Sequence, residues 1–260
     1  MSPQSDLEPL ARIAQDVAAE WSLELGPPFA LSHFSYVAPA GDDAVLKVTP
    51  PEDDESDEEA DALALWNGDG AVRLLRRDHG RRALLIERAR PGSDISELPE
   101  DEATAIAVEV GSRLWRPAAE PLRWIGDHVP RWLDQAERSQ PEGRELIPLA
   151  REVYASLKVG RAVIVHGDFH HHNILRSGDR HLAIDAKPML GEPEYDVPSF
   201  LWNPLPYQMR LDVTERRLAA FTAAGLDEDR MRAWAVIRGA YLGADNQEAR
   251  VLRALLRAQR

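Results

Sequence analysis

Apolar residues along this chain follow strand-like spacing near the N-terminus and helical spacing afterwards. After one amphipathic helix predicted over residues 7–21, four short apolar runs bounded by turn residues predict β-strands. These strands are predicted over residues 29–37, 44–48, 72–75 and 83–87. Between the first two lies Pro-Ala-Gly-Asp-Asp at residues 39–43, a polar turn that predicts a β-hairpin. The N-terminal part is therefore expected to be a small antiparallel sheet with a helix beside it.

From Pro99 onward, apolar residues recur every three or four positions. Ile106, Val110 and Leu114 form such an apolar stripe, which predicts a helix. Further helices are predicted over residues 128–138, 144–157, 213–224, 229–242 and 247–258. Between the two patterns, residues 88–93 have the composition of a linker. The sequence therefore predicts two lobes, formed by residues 1–88 and residues 89–260.

Composition and charge exclude several classes of protein. The chain has 260 residues and a formal net charge of −13, which argues against nucleic-acid binding because that requires a basic surface. It contains no cysteine, which excludes disulfides and thiolate metal sites, and no apolar run approaches the ~18 residues of a membrane span. No signal peptide is recognisable. We therefore expect a cytoplasmic protein, and its acidity would suit a cationic small-molecule substrate.

Residues 163–175 interrupt the helical pattern with a polar motif. The sequence Val-Ile-Val-His-Gly-Asp-Phe-His-His-His-Asn-Ile-Leu predicts a strand, a loop and a second strand, and Ser-Gly-Asp at 177–179 then closes a hairpin. Asp168 and Asn173 fall in the loop, and Asp185 ends the following strand. The spacing His-x-Asp-x-x-x-x-Asn matches the catalytic loop of protein kinases, in which Asp orients the acceptor hydroxyl and Asn holds magnesium.

The wider motif narrows this match. Residues 166–173, His-Gly-Asp-Phe-His-x-x-Asn, resemble the aminoglycoside phosphotransferases, which are small-molecule kinases. Residues 184–196, Ile-Asp-Ala-Lys-Pro-x-x-Gly-Glu-x-x-Tyr-Asp, resemble the streptomycin and hydroxyurea phosphotransferase branch. The resemblance implies a two-lobed protein-kinase-like α+β fold with a small antiparallel-sheet lobe and a larger, mainly helical lobe. It also implies transfer of the ATP γ-phosphoryl group to a hydroxyl of a streptomycin-type aminoglycoside, or to hydroxyurea, in antibiotic resistance.

The resemblance assigns roles to the polar residues of the motif. Asp168 would accept a hydrogen bond and then the proton from the acceptor hydroxyl. Asn173 and Asp185 would hold Mg²⁺, which prefers oxygen ligands. His166 would tie the loop together, and Asp196 would accept hydrogen bonds from that loop.

A second group of residues is expected to bind the nucleotide. Lys47 is one of only three lysines among 31 basic residues, and it would pair with the α- and β-phosphates. Glu59 is the best candidate to orient Lys47, with Glu55 and Glu58 as rivals. Backbone groups of Glu87 to Ala89 are expected to contact adenine. Lys187 is expected either to contact the transferring phosphoryl or the acceptor, or to form a simple ion pair with a nearby carboxylate. A G-x-G-x-x-G pattern is absent, and Gly41 alone supplies flexibility in the predicted hairpin.

The acceptor site is expected in the C-terminal lobe. An acidic wall with one aromatic residue would suit a small polyhydroxylated cation such as streptomycin, whose guanidinium groups would pair with carboxylates. The candidate residues are Glu192, Glu194, Trp202, Asn203, Asp245 and Glu248. An amino sugar or another metabolite is the alternative acceptor.

Two other functions compete with the kinase interpretation. His166 and the run His170-His171-His172 suggest a zinc or dinuclear metal hydrolase, although adjacent residues of an extended loop point in opposite directions. His33, His79, His128 and His181 lie outside any recognisable ligand motif. A pseudokinase that only binds a ligand would be expected to lack one of the motif residues, and all of them are present.

Overall fold

The computed structural model describes residues 7–30, 34–53, 58–118, 122–139, 141–158, 162–204 and 209–257. Its contacts divide the chain into two units, one of Met1–Ser93 with Leu175–Lys187 and one of Asp94–Ile174 with Pro188–Arg260. Residues 89–93 and a later segment, Leu175–Lys187, belong to the first unit, whereas the predicted boundary between the lobes lies at residue 88 and stays a prediction. These two segments lie together because Pro91–Asp94 is a strand and lies in one sheet with the hairpin of residues 174–183.

Strands predominate in the first part of the chain and helices in the rest, with short strands again at residues 163–191. The first ten are α1 (Glu8–Trp21), β1 (Tyr36–Ala40), β2 (Ala44–Val48), α2 (Glu59–Trp66), β3 (Leu74–Asp78), β4 (Ala83–Glu87), β5 (Pro91–Asp94), α3 (Glu100–Leu114), α4 (Ile125–Ser139) and α5 (Ile147–Ser156). They are followed by β6 (Val163–Val165), β7 (Ile174–Ser177), β8 (Arg180–Ala183), β9 (Met189–Gly191), α6 (Val197–Leu201), α7 (Leu211–Ala223), α8 (Glu228–Leu242) and α9 (Asn246–Arg257).

The first unit is built on an antiparallel sheet with the strand order β1-β2-β4-β3. Every residue of β2 is buried, since this strand lies in the interior of the sheet and α1 packs against it. Leu10, Val17 and Trp21 of α1 join the core that includes Leu46 and Val48 of β2. The predicted amphipathic helix and the antiparallel sheet are both confirmed.

One predicted strand is too long. The strand expected over residues 29–37 begins only at Tyr36, as β1. The segment before it runs antiparallel to β1 through single contacts: Leu25 bridges Ala40, and the Phe29 N–H donates to the Val37 carbonyl at 2.9 Å. The apolar pattern around Phe29 therefore reflects pairing with β1 rather than a continuous strand.

The second unit is mainly helical and is organised around α8. This helix is buried on nearly all sides and packs against α4, α5, α6, α7 and α9. The helices predicted from Pro99 onward are confirmed within a few residues at their ends. The short antiparallel pair of β6 and β9 supports the polar loop that follows β6. Among the described residues, no helix is both long and apolar enough to cross a membrane.

Candidate active site

Lys47 is a buried cation held between two carboxylates in the first unit. It lies near the end of β2, opposite Val37 and Leu84, and is 4% exposed. Its Nζ donates to Glu59 Oε2 at 2.6 Å and to Asp185 Oδ1 at 2.6 Å. Burial opposes the charge of Lys47, but the two carboxylates outweigh it and hold the pKa of Lys47 above its ordinary value. The result is a positive charge fixed in position.

Glu59 is the residue that the structure pairs with Lys47. It is the first residue of α2 and is 1% exposed. A carboxylate in the first turn is favoured by the partial positive charge of the helix N-terminus. Of its predicted rivals, Glu58 precedes the helix and Glu55 lies outside the described residues.

Asp185 follows β8 in an uncommon backbone conformation. Its φ is +57°, a left-handed value that Asp and Asn tolerate better than most residues. Its side chain is 51% exposed although one oxygen contacts Lys47. A carboxylate in this position is accessible to a cation from solvent, and Mg²⁺ prefers such oxygen ligands. Lys187, two residues later, is partly buried, and its contact with the transferring phosphoryl or the acceptor stays a prediction.

In the second unit, Asp196 fixes the loop that follows β6. Its fully buried carboxylate accepts hydrogen bonds from the His166 N–H at 2.7 Å and the Gly167 N–H at 2.8 Å. It also accepts one from the indole N–H of Trp115 at 2.8 Å. The buried His166 ring then accepts the Asp168 N–H through Nδ1 at 3.3 Å. These contacts hold the backbone on both sides of Gly167.

Asp168 lies in this loop, and its carboxylate is partly exposed to solvent. Its side chain is 34% exposed, and its Oδ2 lies 3.5 Å from His170 Nε2. Burial opposes ionisation of Asp168, but the hydrogen bond and charge of His170, together with His166 and Arg238, hold its pKa well below the ordinary value. Asp168 is therefore an ionised hydrogen-bond acceptor at neutral pH.

Asn173 is held by its amide nitrogen. Its Nδ2 donates to the Asp168 carbonyl at 2.9 Å and lies 3.3 Å from Asp168 Oδ2. Because the nitrogen makes these contacts, the amide oxygen is the atom that Asn173 can offer to a cation. This orientation fits a magnesium ligand, since Mg²⁺ binds oxygen and not a neutral amide nitrogen.

The remaining loop histidines have structural surroundings of their own. His171 is 1% exposed and stacks on Phe200 with ring centres 4.0 Å apart. Burial, followed by the charges of Arg217 and the neighbouring histidines, lowers its pKa to about 3, so its ring is neutral. His172 Nδ1 lies 2.8 Å from Asp94 Oδ2. Within the described part of the chain, no three His, Asp or Glu side chains form a group that could hold a metal ion.

Comparison with known proteins agrees with this geometry. Residues 30–249 match the protein family described as aminoglycoside/hydroxyurea antibiotic resistance kinase. The chain belongs to this family. A streptomycin 3''-kinase from Klebsiella pneumoniae is 31% identical over 232 residues, which are 83% of this chain and 85% of the relative. A hydroxyurea phosphotransferase from Kitasatospora aureofaciens is 33% identical over 237 residues, which are 84% of this chain and 67% of the relative.

Solved structures establish the fold class. A choline kinase from Streptococcus pneumoniae superimposes with a TM-score of 0.66 at 13% identity and covers 94% of this chain and 99% of its own. At this identity the likeness concerns the fold alone. The expected kinase-like α+β fold is confirmed, with an antiparallel-sheet unit and a mainly helical unit in this antibiotic resistance kinase.

The segment expected to contact adenine is partly engaged in main-chain pairing. The Glu87 N–H donates to the Arg73 carbonyl at 2.8 Å, and the Arg88 N–H donates to the Asp43 carbonyl at 2.9 Å. The Glu87 side chain accepts from Arg180 at 2.8 Å. These bonds do not involve Ala89, so the adenine contact of Glu87 to Ala89 stays a prediction that rests chiefly on Ala89.

The hairpin that contains Gly41 is a poor candidate for the phosphate loop. Gly41 has φ +67° in the β1–β2 turn, whereas Lys47 pairs with Val37 near the other end of the hairpin. Three pairs of residues at about 3.3 Å each separate the two. Ser35 lies at the Lys47 end, with its hydroxyl 3.5 Å from Thr49 Oγ1. The role of this hairpin in phosphate binding therefore stays a prediction.

The expected acidic acceptor wall is contradicted at two positions. Glu192 is 1% exposed and accepts two hydrogen bonds from Arg230 and one from the Trp234 indole N–H. Glu194 is 6% exposed and accepts the Asp227 N–H at 3.1 Å. Both carboxylates are buried and hydrogen-bonded within the second unit, so they are not accessible to a ligand.

The other candidates for the acceptor wall differ in accessibility. Asn203 is 9% exposed and donates to the Ser199 carbonyl at 2.8 Å, so its amide is also engaged in the fold. Asp245 is exposed and directly precedes α9, where its carboxylate accepts the N–H groups of Gln247 and Glu248. Glu248 in turn accepts the Asp245 N–H at 2.8 Å. Asp245 and the partly exposed Trp202 remain candidates.

Two residues that support the loop were not predicted from the sequence, Trp115 and Arg238. Trp115 directly follows α3, and Arg238 lies inside α8, where its Nη2 donates to the Gly167 carbonyl at 3.0 Å. Both residues are far from the motif in sequence, and the segments around them have the composition of ordinary helices. An unexpected charged residue on an otherwise buried helix is the signal that could have indicated Arg238.

Proposed function

We propose that this kinase transfers the γ-phosphoryl group of ATP to a hydroxyl group of a streptomycin-type aminoglycoside. The observation that carries the proposal is the buried ammonium of Lys47, held at 2.6 Å by both Glu59 and Asp185. A compact cation fixed by two carboxylates is suited to pair with nucleotide phosphates, and it is one of only three lysines in an arginine-rich chain. Membership of the resistance-kinase family supports the acceptor class.

Asp168 would act on the acceptor hydroxyl. Its ionised carboxylate accepts a hydrogen bond from that hydroxyl and orients its oxygen towards the γ-phosphorus. As the new oxygen–phosphorus bond forms, the bond to the β-phosphate oxygen breaks and ADP leaves. The hydroxyl proton passes to Asp168 late in the step, because an alcohol becomes acidic only as its oxygen bonds to phosphorus.

Asn173 and Asp185 would hold magnesium through oxygen. The fit rests on the engaged nitrogen of Asn173, which leaves its oxygen for a cation, and on the exposed carboxylate of Asp185. When bound, the metal neutralises charge on the transferring phosphoryl group. Lys47 pairs with the α- and β-phosphates, and backbone groups around Ala89 contact adenine.

The acceptor assignment is supported by charge. Streptomycin carries guanidinium groups, and the chain has a formal net charge of −13. Asp245 and Trp202 are proposed to contact the acceptor because they are accessible candidates of the suitable type. Hydroxyurea is small and neutral and would not need these residues. It is the second candidate because the family description includes it and a relative bears its name.

An ATP-consumption assay tests the proposal. Purified protein with ATP and Mg²⁺ is supplied separately with streptomycin, hydroxyurea, a neutral sugar and an amino sugar, and the products are identified by mass spectrometry. We expect ADP and a singly phosphorylated product with streptomycin, at a rate that falls as salt is added. Product formation from the neutral sugar or the amino sugar, and none from streptomycin or hydroxyurea, would show that the kinase acts on another metabolite.

A further inference from the structure

A buried arginine contacts the residue that precedes Asp168. Arg238 lies in α8 and is 4% exposed. Its Nη2 donates to the Gly167 carbonyl at 3.0 Å and to Ser199 Oγ at 2.8 Å. The centre of its guanidinium group lies 4.3 Å from the ring centre of Tyr195, a cation–π distance. Arg238 therefore connects the core helix of the second unit with the loop.

The contact with Arg238 completes the fixation of Gly167. The N–H of Gly167 donates to Asp196 Oδ1 at 2.8 Å, and its carbonyl accepts from Arg238 at 3.0 Å. Gly167 has φ +83°, a conformation that glycine adopts readily and also leaves readily. Both polar groups of this residue are thus held by buried charged side chains. The orientation in which the chain enters Asp168 depends on these two contacts.

Two of the three guanidinium nitrogens of Arg238 make no hydrogen bond among the described residues. These two atoms, Nε and Nη1, are buried. By contrast, Arg217 of α7 is 1% exposed, and all three of its guanidinium nitrogens donate hydrogen bonds. The same holds for Arg232, which lies in α8 like Arg238. A buried charge with unused donors costs stability. Its position beneath the loop is therefore better explained by function than by stability.

We propose that Arg238 is a positioning residue for phosphoryl transfer, which acts by holding the Gly167 carbonyl and thereby orienting the carboxylate of Asp168. The inference rests on the proposed function, in which Asp168 receives the hydroxyl proton. Arg238 contacts neither nucleotide nor acceptor in this proposal. Its removal should consequently affect the chemical step more than ATP binding.

Kinetics of three variants test this role. We expect Arg238→Met to lower kcat about 10- to 100-fold, the effect of losing one charged hydrogen bond, while KM for ATP changes less than about twofold. Arg238→Lys should fall between Arg238→Met and the wild type, because lysine keeps one charged donor. The matched control is Arg232→Met, in the same helix, 5% exposed and paired with Glu215 and Glu228 away from the loop. It should lower the thermal midpoint and leave kcat near the wild-type value.

Hydrogen exchange of the loop gives a readout that needs no acceptor. We expect the peptide that contains residues 166–169 to exchange faster in Arg238→Met than in the wild type or in Arg232→Met. Wild-type kcat and wild-type exchange in Arg238→Met would overturn the inference, as would an equal loss of kcat in both variants. If the wild type phosphorylates neither streptomycin nor hydroxyurea, the acceptor proposal fails, and the exchange result alone decides whether Arg238 holds the loop.

Discussion

The ammonium nitrogen of Lys47 lies 2.6 Å from a carboxylate oxygen of Glu59, and both side chains are almost completely buried. The same nitrogen lies 2.6 Å from Asp185, whose side chain is half exposed. Lys47 therefore forms one ion pair with a buried carboxylate, that of Glu59, and a second with a solvent-exposed carboxylate, that of Asp185. In the proposed function, Lys47 would pair with the nucleotide phosphates and Asp185 would hold the metal ion.

Replacing Lys47 by arginine tests the need for a compact ammonium. Arginine keeps the charge, but its planar fork is too large for a site with two carboxylates at 2.6 Å and 4% exposure. We expect Lys47→Arg to lower kcat/KM for ATP by at least about tenfold in a coupled ADP-release assay. Lys158→Arg, at an exposed position, is the control and should behave as the wild type.

The pairing of Lys47 with Glu59 could be predicted because both residues stand at recognisable element ends. Lys47 is near the end of an apolar strand, and Glu59 begins an apolar helix. The motif of residues 166–173 could be predicted for the same reason, since strand, loop and strand follow local rules. The strand β5 was missed because Pro91 and Gly92 have the composition of a linker, which an edge strand also tolerates.

The fate of the acidic residues could not be predicted from local pattern. Glu192 forms an ion pair with Arg230, which lies 38 residues later in the chain. The Gly167 carbonyl accepts a hydrogen bond from Arg238, which lies 71 residues later. Such pairs depend on how helices pack around α8, and no spacing rule connects residues so far apart. Sequence reasoning therefore placed Glu192 and Glu194 in a binding wall, although they are internal ion-pair and hydrogen-bond partners.

Removing the carboxylate of Asp168 should affect turnover and spare nucleotide binding. We expect Asp168→Ala to lower kcat about 10²- to 10⁴-fold, the range for a lost general base. ATP affinity, measured by calorimetry, should change little because Asp168 acts on the acceptor. Asp179→Ala, in the exposed β7–β8 turn, is the control. Turnover at the wild-type rate in Asp168→Ala would show that the loop has another role.

Replacing Asp185 by asparagine isolates its charge. Asparagine tolerates the left-handed φ of +57° at this position, so the backbone should be retained. We expect calorimetry to show that Mg²⁺ no longer tightens ATP binding in Asp185→Asn, whereas it does so in the wild type. An unchanged magnesium dependence would contradict the assignment of Asp185 as a metal ligand.

The ion pair of Glu100 with Arg217 should make stability depend on pH. Burial opposes the charge of Glu100, but Arg217, whose nitrogens lie 2.5 and 2.9 Å from its oxygens, lowers its pKa. The folded state therefore binds this proton more weakly than the unfolded state. Its contribution to stability is present above the unfolded pKa of about 4.3 and is lost as pH falls through the lower folded pKa.

Chemical denaturation of Glu100→Gln tests this linkage. We expect the free energy of unfolding to fall by about 1–3 kcal/mol at pH 7, because the buried Arg217 loses its charged partner. The difference from the wild type should begin to shrink as the pH falls below about 4.3, where Glu100 becomes protonated in the unfolded state, and should disappear below the lower pKa of the folded state. Glu109→Gln removes an exposed pair with Arg113 and should cost less than about 0.5 kcal/mol. A difference that does not vary with pH would contradict the linkage.

Asp245 can be tested as an acceptor contact without loss of its structural role. Its carboxylate caps α9 by accepting the N–H groups of Gln247 and Glu248, and asparagine caps helices about as well. Asp245→Asn therefore removes the charge and retains the cap. If Asp245 pairs with a guanidinium group of streptomycin, KM for streptomycin should rise about three- to tenfold with KM for ATP unchanged.

The matched control for Asp245 is Asp227, which caps α8 by accepting the Arg230 N–H at 3.1 Å. Asp227→Asn likewise removes one negative charge and retains a cap, so it reports the effect of net charge alone. We expect its KM for streptomycin to stay within about twofold of the wild type, since an exposed charge that makes no contact with the acceptor is screened at physiological salt. Equal KM values in the two variants would remove Asp245 from the acceptor site and leave its capping role, because only a direct contact distinguishes these two aspartates.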